Sequence, residues 1–166
     1  MRPIASVFWI CLVFSTFVGI ACARHQKPLE SITGESNGST TITCSGCEAH
    51  SVARMVDEDT FELSDGTRIR FYGMDLPEQD QPCFSEATDR LRQLVGSAVR
   101  LEDGPRLMDT DGRRLAYAYT SEGFSINVLL IREGLATAWE RAGQHAFTLM
   151  DIERSTSYNR VGCLWG

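Results

Sequence analysis

The alternation of apolar and polar positions divides the chain into an apolar leader, a polar stretch and one patterned region. Ser51–Val56, Thr60–Leu63 and Thr67–Tyr72 each read as a short strand, the last with Ile69 and Phe71 on one face. The acidic turn Asp57-Glu58-Asp59 separates the first two, and Ser64-Asp65-Gly66, with its Asp-Gly step, marks a hairpin before the third. Ala87, Leu91, Leu94 and Val95 recur at helical spacing, predicting a helix capped by Ser85, with Glu86 in its first turn and a stop at Gly96. A fourth strand, Ala98–Glu102, is turned by Asp103-Gly104-Pro105, and a fifth runs from Arg114 to Thr120. Ser125 caps a second helix, Ile126–Glu133, stopped by Gly134, and a third runs from about His145 to Tyr158. The order βββαββαα predicts an α+β fold: a five-stranded, partly open β-barrel of OB type with three helices packed on it, over residues 51–166.

The leader changes where that domain is expected to work. Arg2 precedes an uncharged apolar run from Pro3 to Ile20 that closes on Ala21-Cys22-Ala23. A basic start, an apolar middle and a small-x-small end predict a signal peptide over residues 1–23, cleaved after Ala23, and a secreted or periplasmic product. Retention as a membrane anchor and lipid attachment at Cys22 are the alternatives, since the run approaches the ~20 residues of a spanning helix. Residues 24–50, rich in Ser, Thr and Gly, read as a polar linker, and Asn37-Gly38-Ser39 within it fits the Asn-x-Ser glycosylation pattern. No membrane partner is expected unless the leader is retained, and a monomer is expected.

Charge narrows the chemistry. The chain carries a net −6, and a leader holding Arg2 and no acid would leave the remainder one unit more negative. A protein that gripped nucleic acid by bulk charge would be basic, so any polyanion site here must be local. Cys44, Cys47, Cys83 and Cys163 remain after the leader, an even number in an exported chain, which predicts disulfides. Four cysteines allow three pairings, and sequence does not choose among them. A local Cys44–Cys47 bridge, with Cys83 tied to Cys163, is the expectation.

The candidate chemistry centres on Arg70-Phe-Tyr-Gly-Met-Asp-Leu-Pro-Glu78. Arg70 ends a strand, the chain turns at Gly73 and breaks at Pro77, and Asp75 and Glu78 sit on the loop that leaves the strand. One cation and two carboxylates around one strand end suit a divalent metal and a phosphate. Asp59 in the acidic turn and Arg113 in Asp109-Thr110-Asp111-Gly112-Arg113 complete the set. Carboxylates are hard ligands that suit Ca²⁺ or Mg²⁺, nothing supplies the His/Cys set of a zinc hydrolase, and guanidinium groups match phosphate oxygens two at a time. Taken singly, an acidic turn is usually a solvated turn and Asp-Leu-Pro-Glu is a loop. Asp109-Thr-Asp-Gly opens like an EF-hand, but Arg113 and Arg114 follow and no Glu stands at the twelfth position, so it is not read as one.

Together these pieces, in this order, resemble the staphylococcal-nuclease-like, or thermonuclease, family. Asp57-Glu58-Asp59-Thr60 is similar to its Asp-Gly-Asp-Thr turn, Arg70 with Asp75-Leu76-Pro77-Glu78 to its Arg-x-x-x-x-Asp-(Thr or Ala)-Pro-Glu, and Asp109 with Gly112-Arg113 to its Asp-x-x-Gly-Arg. Arg132-Glu133-Gly134-Leu135-Ala136 and Leu164-Trp165 resemble two further segments of that family. The resemblance implies a Ca²⁺-dependent nuclease hydrolysing phosphodiester bonds in DNA and RNA. It implies Asp59 and Asp75 as metal ligands, with Leu76 through its carbonyl, Glu78 as general base or as the group that positions the attacking water, and Arg70 and Arg113 as phosphate-holding catalytic groups. Glu58 stands where the family has a turn Gly, which is expected to cost backbone freedom and adds an anion. Thr110-Asp111 replaces a Lys-Tyr, and an aromatic pair expected near Trp139 to Ala142 is missing. The alternative is a non-catalytic OB-fold module binding nucleic acid or a protein. Such a module is expected to have lost one of the five key side chains, and this chain keeps them all.

Overall fold

The computed structural model describes residues 41–166 apart from Ala142. The leader, most of the linker and the Asn37 acceptor lie outside the described residues. Residues Gly38–Gly166 form a compact unit of their own.

Five strands close a barrel in the order β1 (Glu48–Met55), β2 (Thr60–Leu63), β3 (Arg68–Phe71), β6 (Arg114–Tyr119), β5 (Ala98–Met108). All neighbours are antiparallel except β3 and β6, which run parallel. Between β3 and β5 come the two-residue strand β4 (Met74–Asp75) and helix α1 (Phe84–Val95). After β6 come α2 (Ile126–Arg132), β7 (Thr137–Ala138), a 3-10 turn (Gly143–His145) and α3 (Ala146–Tyr158). Alternation along the short strands sends Phe61, Leu63, Ile69, Phe71 and Leu115 inward, where they meet Leu91 and Val95 of α1 and Leu130 and Ile131 of α2. The five-stranded barrel and three helices are thus as expected, but the barrel is closed, where a partly open one was expected, because β1 pairs with β5.

Local chemistry explains most boundaries. The Asp65-Gly66 turn forms, with Gly66 at φ 87. Ser125 caps α2, its Oγ accepting from the Val128 N–H at 3.3 Å. Four expectations are corrected. β1 begins at Glu48, ahead of Ser51, where pairing with β5 recruits it. Ser85 is not the cap of α1; Cys83 is, in the left-handed region at φ 73 and with no side-chain cap bond. Asp103-Gly104-Pro105 does not turn the chain, because it lies inside β5. Gly104 is there for close approach: a Cβ would stand 2.8 Å from Cδ1 of Tyr72. The turn comes instead at Asp109–Gly112, where Asp109 Oδ1 accepts from the N–H groups of Asp111 and Arg113, both at 2.9 Å. Finally, β4 and β7 form a second small sheet that alternation in two-residue strands could not announce.

Both disulfides join the expected partners, Cys44–Cys47 and Cys83–Cys163. The first sits in a strap beside β1, where the Cys44 N–H donates to Gly123 O at 2.8 Å and Ile42 packs on the core.

A polar cluster fastens the 3-10 turn to the barrel. Glu102 of β5 accepts from the Tyr119 hydroxyl and, at 2.9 Å, from Gln144, and lies 3.0 Å from Nε2 of His145. Burial pushes Glu102 up, but the Tyr119, Gln144 and His145 contacts prevail and hold its pKa below the ordinary carboxylate value. A depressed folded pKa means stability that is present above the unfolded value of about 4.3 and lost as pH falls through the folded one. Glu102→Gln is therefore expected to flatten the loss of stability between about pH 5 and pH 3, read by urea unfolding across that range. An unchanged slope would show that this carboxylate is not coupled to folding.

Candidate active site

The β1–β2 turn carries Asp59. Its fold is local: Val56 and Asp57 N–H groups donate to Thr60 O at 2.8 and 3.2 Å, and Asp57 Oδ1 accepts from the Asp59 N–H at 3.3 Å. Glu58 does not take the left-handed conformation, for among the described residues only Cys83 and Arg160 do so without being glycine. The turn therefore needs no glycine, and the expected backbone cost is absent. Burial, and then the neighbouring Asp59 carboxylate, push the Asp57 pKa up.

Pairing across the sheet sets Arg70 directly opposite Thr60. Its Nε donates to Asp59 Oδ2 at 2.7 Å, and its Nη2 lies 3.5 Å from Asp75 Oδ1. β4 explains Asp75: Met74 and Leu76 are buried on either side, so the carboxylate between them projects outward, 54% exposed. Register with β7 places Asp75 against Thr137. Buried Pro77 then releases the chain, and Glu78 stands exposed at the rim. Asp59, Arg70, Asp75, Leu76 and Glu78 line one open cavity of about 390 Å³, together with Glu58, Gln81, Thr137 and Leu164.

Arg113 approaches from behind Asp59 and is not among the lining residues. Its Nε donates to Asp109 Oδ2 at 2.6 Å, its Nη1 to Thr60 Oγ1 at 3.1 Å, and Nη1 also lies 3.7 Å from Asp59 Oδ1. Its Nη2 lies 3.4 Å from Asp111 Oδ2. Burial alone would lower the guanidinium pKa, but Asp109 and Asp59 raise it. Burial alone would raise Asp109, but the Arg113 N–H and guanidinium hold it down. The two arginines thus share Asp59, one on each carboxylate oxygen, with Thr60 donating to Oδ1 at 2.7 Å.

The donor set at the cavity, two aspartates and the backbone at Leu76, is all hard oxygen and fits Ca²⁺ or Mg²⁺. Oxygens of Asp59, Asp75 and Glu78 do not all approach within 4.8 Å of one another, and the Arg70 guanidinium reaches both aspartates. The one such three-group cluster among the described residues, Cys83, Glu86 and Cys163, has its two sulfurs committed to a disulfide.

Several contributors were not read from sequence as site residues. Thr60 is fully buried and links Asp59 to Arg113. Its place after Asp59 was the available signal. Trp139 lies 5.5 Å from the Arg70 guanidinium and packs edge-on against Tyr72. Gln81 and Leu164 line the cavity without any motif to announce them.

Two curated relatives, each described as an uncharacterized endonuclease, from Escherichia coli O157:H7 and Escherichia coli, are 34% identical to this chain over 94 residues. The match spans 54% of this chain and 60% of theirs, so the likeness leaves a substantial part of each relative uncovered. A family profile described as Staphylococcal nuclease homologue matches residues 68–166, taking in Arg70, Asp75, Leu76, Glu78 and Arg113 and starting after Asp59. With more than half its length matched and its strands closed into a five-stranded barrel bearing three helices, the chain belongs to the staphylococcal nuclease homologue family.

Proposed function

We propose that this protein is an exported, Ca²⁺-dependent nuclease that hydrolyses phosphodiester bonds in DNA and RNA. The observation that carries the reading is the single cavity lined by Asp59, Arg70, Asp75 and Glu78, with Arg113 behind Asp59. Endonuclease is also the description of the two relatives. Asp59, Asp75 and the carbonyl of Leu76 would hold the cation, which when bound neutralises charge on the phosphate. Glu78, exposed at the rim, accepts a proton from the attacking water. The P–O bond to water forms as the bond to the leaving oxygen breaks, the two in line. Arg70 orients the phosphate with two N–H groups, and Arg113 meets the charge that grows on its oxygens in the transition state. Buried Thr60 and half-buried Asp109 hold Arg113 against rotation.

The acidic balance fits this arrangement, since the guanidinium groups act at one point instead of through a basic surface. Export is supported by the leader and by the two disulfides. Among the described residues no helix is long and apolar enough to cross a membrane.

The test is degradation of single-stranded DNA by the mature protein with Ca²⁺ and then with EDTA. Cleavage should fall by about 10³-fold or more on chelation and return when Ca²⁺ is restored. Equal degradation by a Glu78→Gln, Arg113→Ala double variant would sink the assignment of the site. Binding of DNA without cleavage under every divalent ion would favour a recognition module instead.

A further inference from the structure

The loop after Glu78 has little of its own to hold it. Glu78, Gln79, Asp80, Gln81 and Pro82 are all exposed, so no core contact fixes them. The Pro82 ring fixes its own φ and nothing beyond it. Only the two ends of the loop are tied. Pro77 is buried at one end, and at the other Cys83 is bridged to Cys163 across 80 residues of sequence. Between the ties the loop folds on itself: the Glu78 N–H donates to Gln81 Oε1 at 3.0 Å, and the Gln81 N–H donates to Glu78 O at 2.9 Å. Cys83 then takes a left-handed conformation, uncommon for a residue with a side chain, and starts α1 by accepting from the Ala87 N–H at 2.9 Å. On the far side of the bridge, the Leu164 N–H donates to Gly134 O at 3.1 Å, and Leu164 lines the cavity with Glu78 and Gln81.

We propose that Cys83 and Cys163 are positioning residues for Glu78: their bridge pins the exposed loop between the buried proline and the C-terminal tail, holding the carboxylate over the cavity. The proposal rests on the nuclease reading for its kinetic consequences. Its structural content, that the bridge orders the 78–82 turn, stands apart from that reading. Neither bridge lines the cavity, but Cys83 closes the 78–82 loop and Cys163 precedes Leu164, both of which bring lining residues, whereas the Cys44–Cys47 bridge lies in the strap beside β1 with no lining residue near it in the chain, which makes it the control.

The experiment compares wild type, Cys83→Ser/Cys163→Ser and Cys44→Ser/Cys47→Ser well below their melting temperatures, with single-stranded DNA and Ca²⁺. Loss of the Cys83–Cys163 bridge should lower kcat about 10- to 100-fold and leave KM within about twofold, the scale of a misplaced catalytic group. Loss of the strap bridge should leave kcat within about twofold. In a Glu78→Gln background, removal of the Cys83–Cys163 bridge should have no further effect, because two changes that act through one group do not add. An equal loss in both backgrounds would mark the bridge as merely structural and overturn the proposal, as would an unchanged kcat. Hydrogen exchange at the Gln81 amide supplies a readout independent of activity. It should quicken about tenfold or more in Cys83→Ser/Cys163→Ser and not in the control. Unchanged exchange overturns the proposal even if the wild type cuts nothing, whereas an inactive wild type with quickened exchange refutes only the nuclease reading. If the double variant does not fold, Gln81→Ala decides. It removes the acceptor for the Glu78 N–H and should lower kcat with KM preserved, and an unchanged kcat overturns the proposal.

Discussion

Arg113→Ala is expected to lower kcat on single-stranded DNA by about 10³-fold or more, while the Ca²⁺ concentration needed for half-maximal activity stays within about twofold. The asymmetry comes from where Arg113 sits. It does not line the cavity with Asp59, Asp75 and Leu76, the proposed cation ligands, and it reaches Asp59 from behind, on the oxygen that Arg70 does not use. Its removal takes away a positive charge that matters most when the phosphate gains charge, and it deletes no oxygen donor. Arg113→Lys is expected to restore only part of the loss. A single ammonium cannot keep the Asp109 and Thr60 contacts, at 2.6 and 3.1 Å, and still present a second face to a phosphate. Steady-state kinetics against substrate and against Ca²⁺ separate these outcomes. A large rise in the Ca²⁺ requirement with kcat preserved would show that Arg113 serves the metal site instead.

Gly134→Ala is expected to destabilise the domain by about 2–5 kcal/mol, the sum of a left-handed backbone penalty of about 1–2 kcal/mol and a clash that the site cannot relieve. Gly134 ends α2 at φ +67, where glycine is the ordinary residue. A methyl group there would overlap the carbonyl oxygen of Val161, lie 2.8 Å from its carbon and stand 3.0 Å from Gly162 Cα, all backbone atoms. Gly162 is similarly tight against Glu133, with φ +74. The two glycines let the C-terminal tail lie directly on the end of α2, and that seat carries Leu164 to the cavity. Gly66→Ala is the control: φ is +87, but nothing lies within 4 Å, so only the backbone penalty applies. Urea midpoints should fall clearly further for Gly134→Ala than for Gly66→Ala. Equal shifts would mean that the tail yields easily and that its contact with α2 is slack.

The Glu102 cluster and the Cys83–Cys163 bridge tie together points far apart in the chain. Glu102 on β5 gathers Tyr119 from β6 and His145 from the turn before α3, and Cys83 gathers the tail. Each joins segments that loop closure must first bring together.

Features whose cause lies within a few residues could be read directly from the residues. The Asp65-Gly66 hairpin, the Ser125 cap, the helical faces and the Arg70…Asp75-Leu-Pro-Glu78 loop all rest on local backbone chemistry or on simple periodicity, and they stand in the structure as read. The rest was set by long-range packing. The Asp103-Gly104-Pro105 turn signal was overridden because β5 must pass beneath Tyr72, 32 residues earlier than Gly104 in the chain. Cys83 displaced Ser85 as the cap of α1, the residue bridged to a cysteine 80 positions away. Trp139 beside Arg70, and Leu164 at the cavity, are likewise products of chain closure. A turn or cap is settled by torsions and hydrogen bonds among neighbours, whereas a cavity wall depends on which distant surfaces the closed barrel brings into contact.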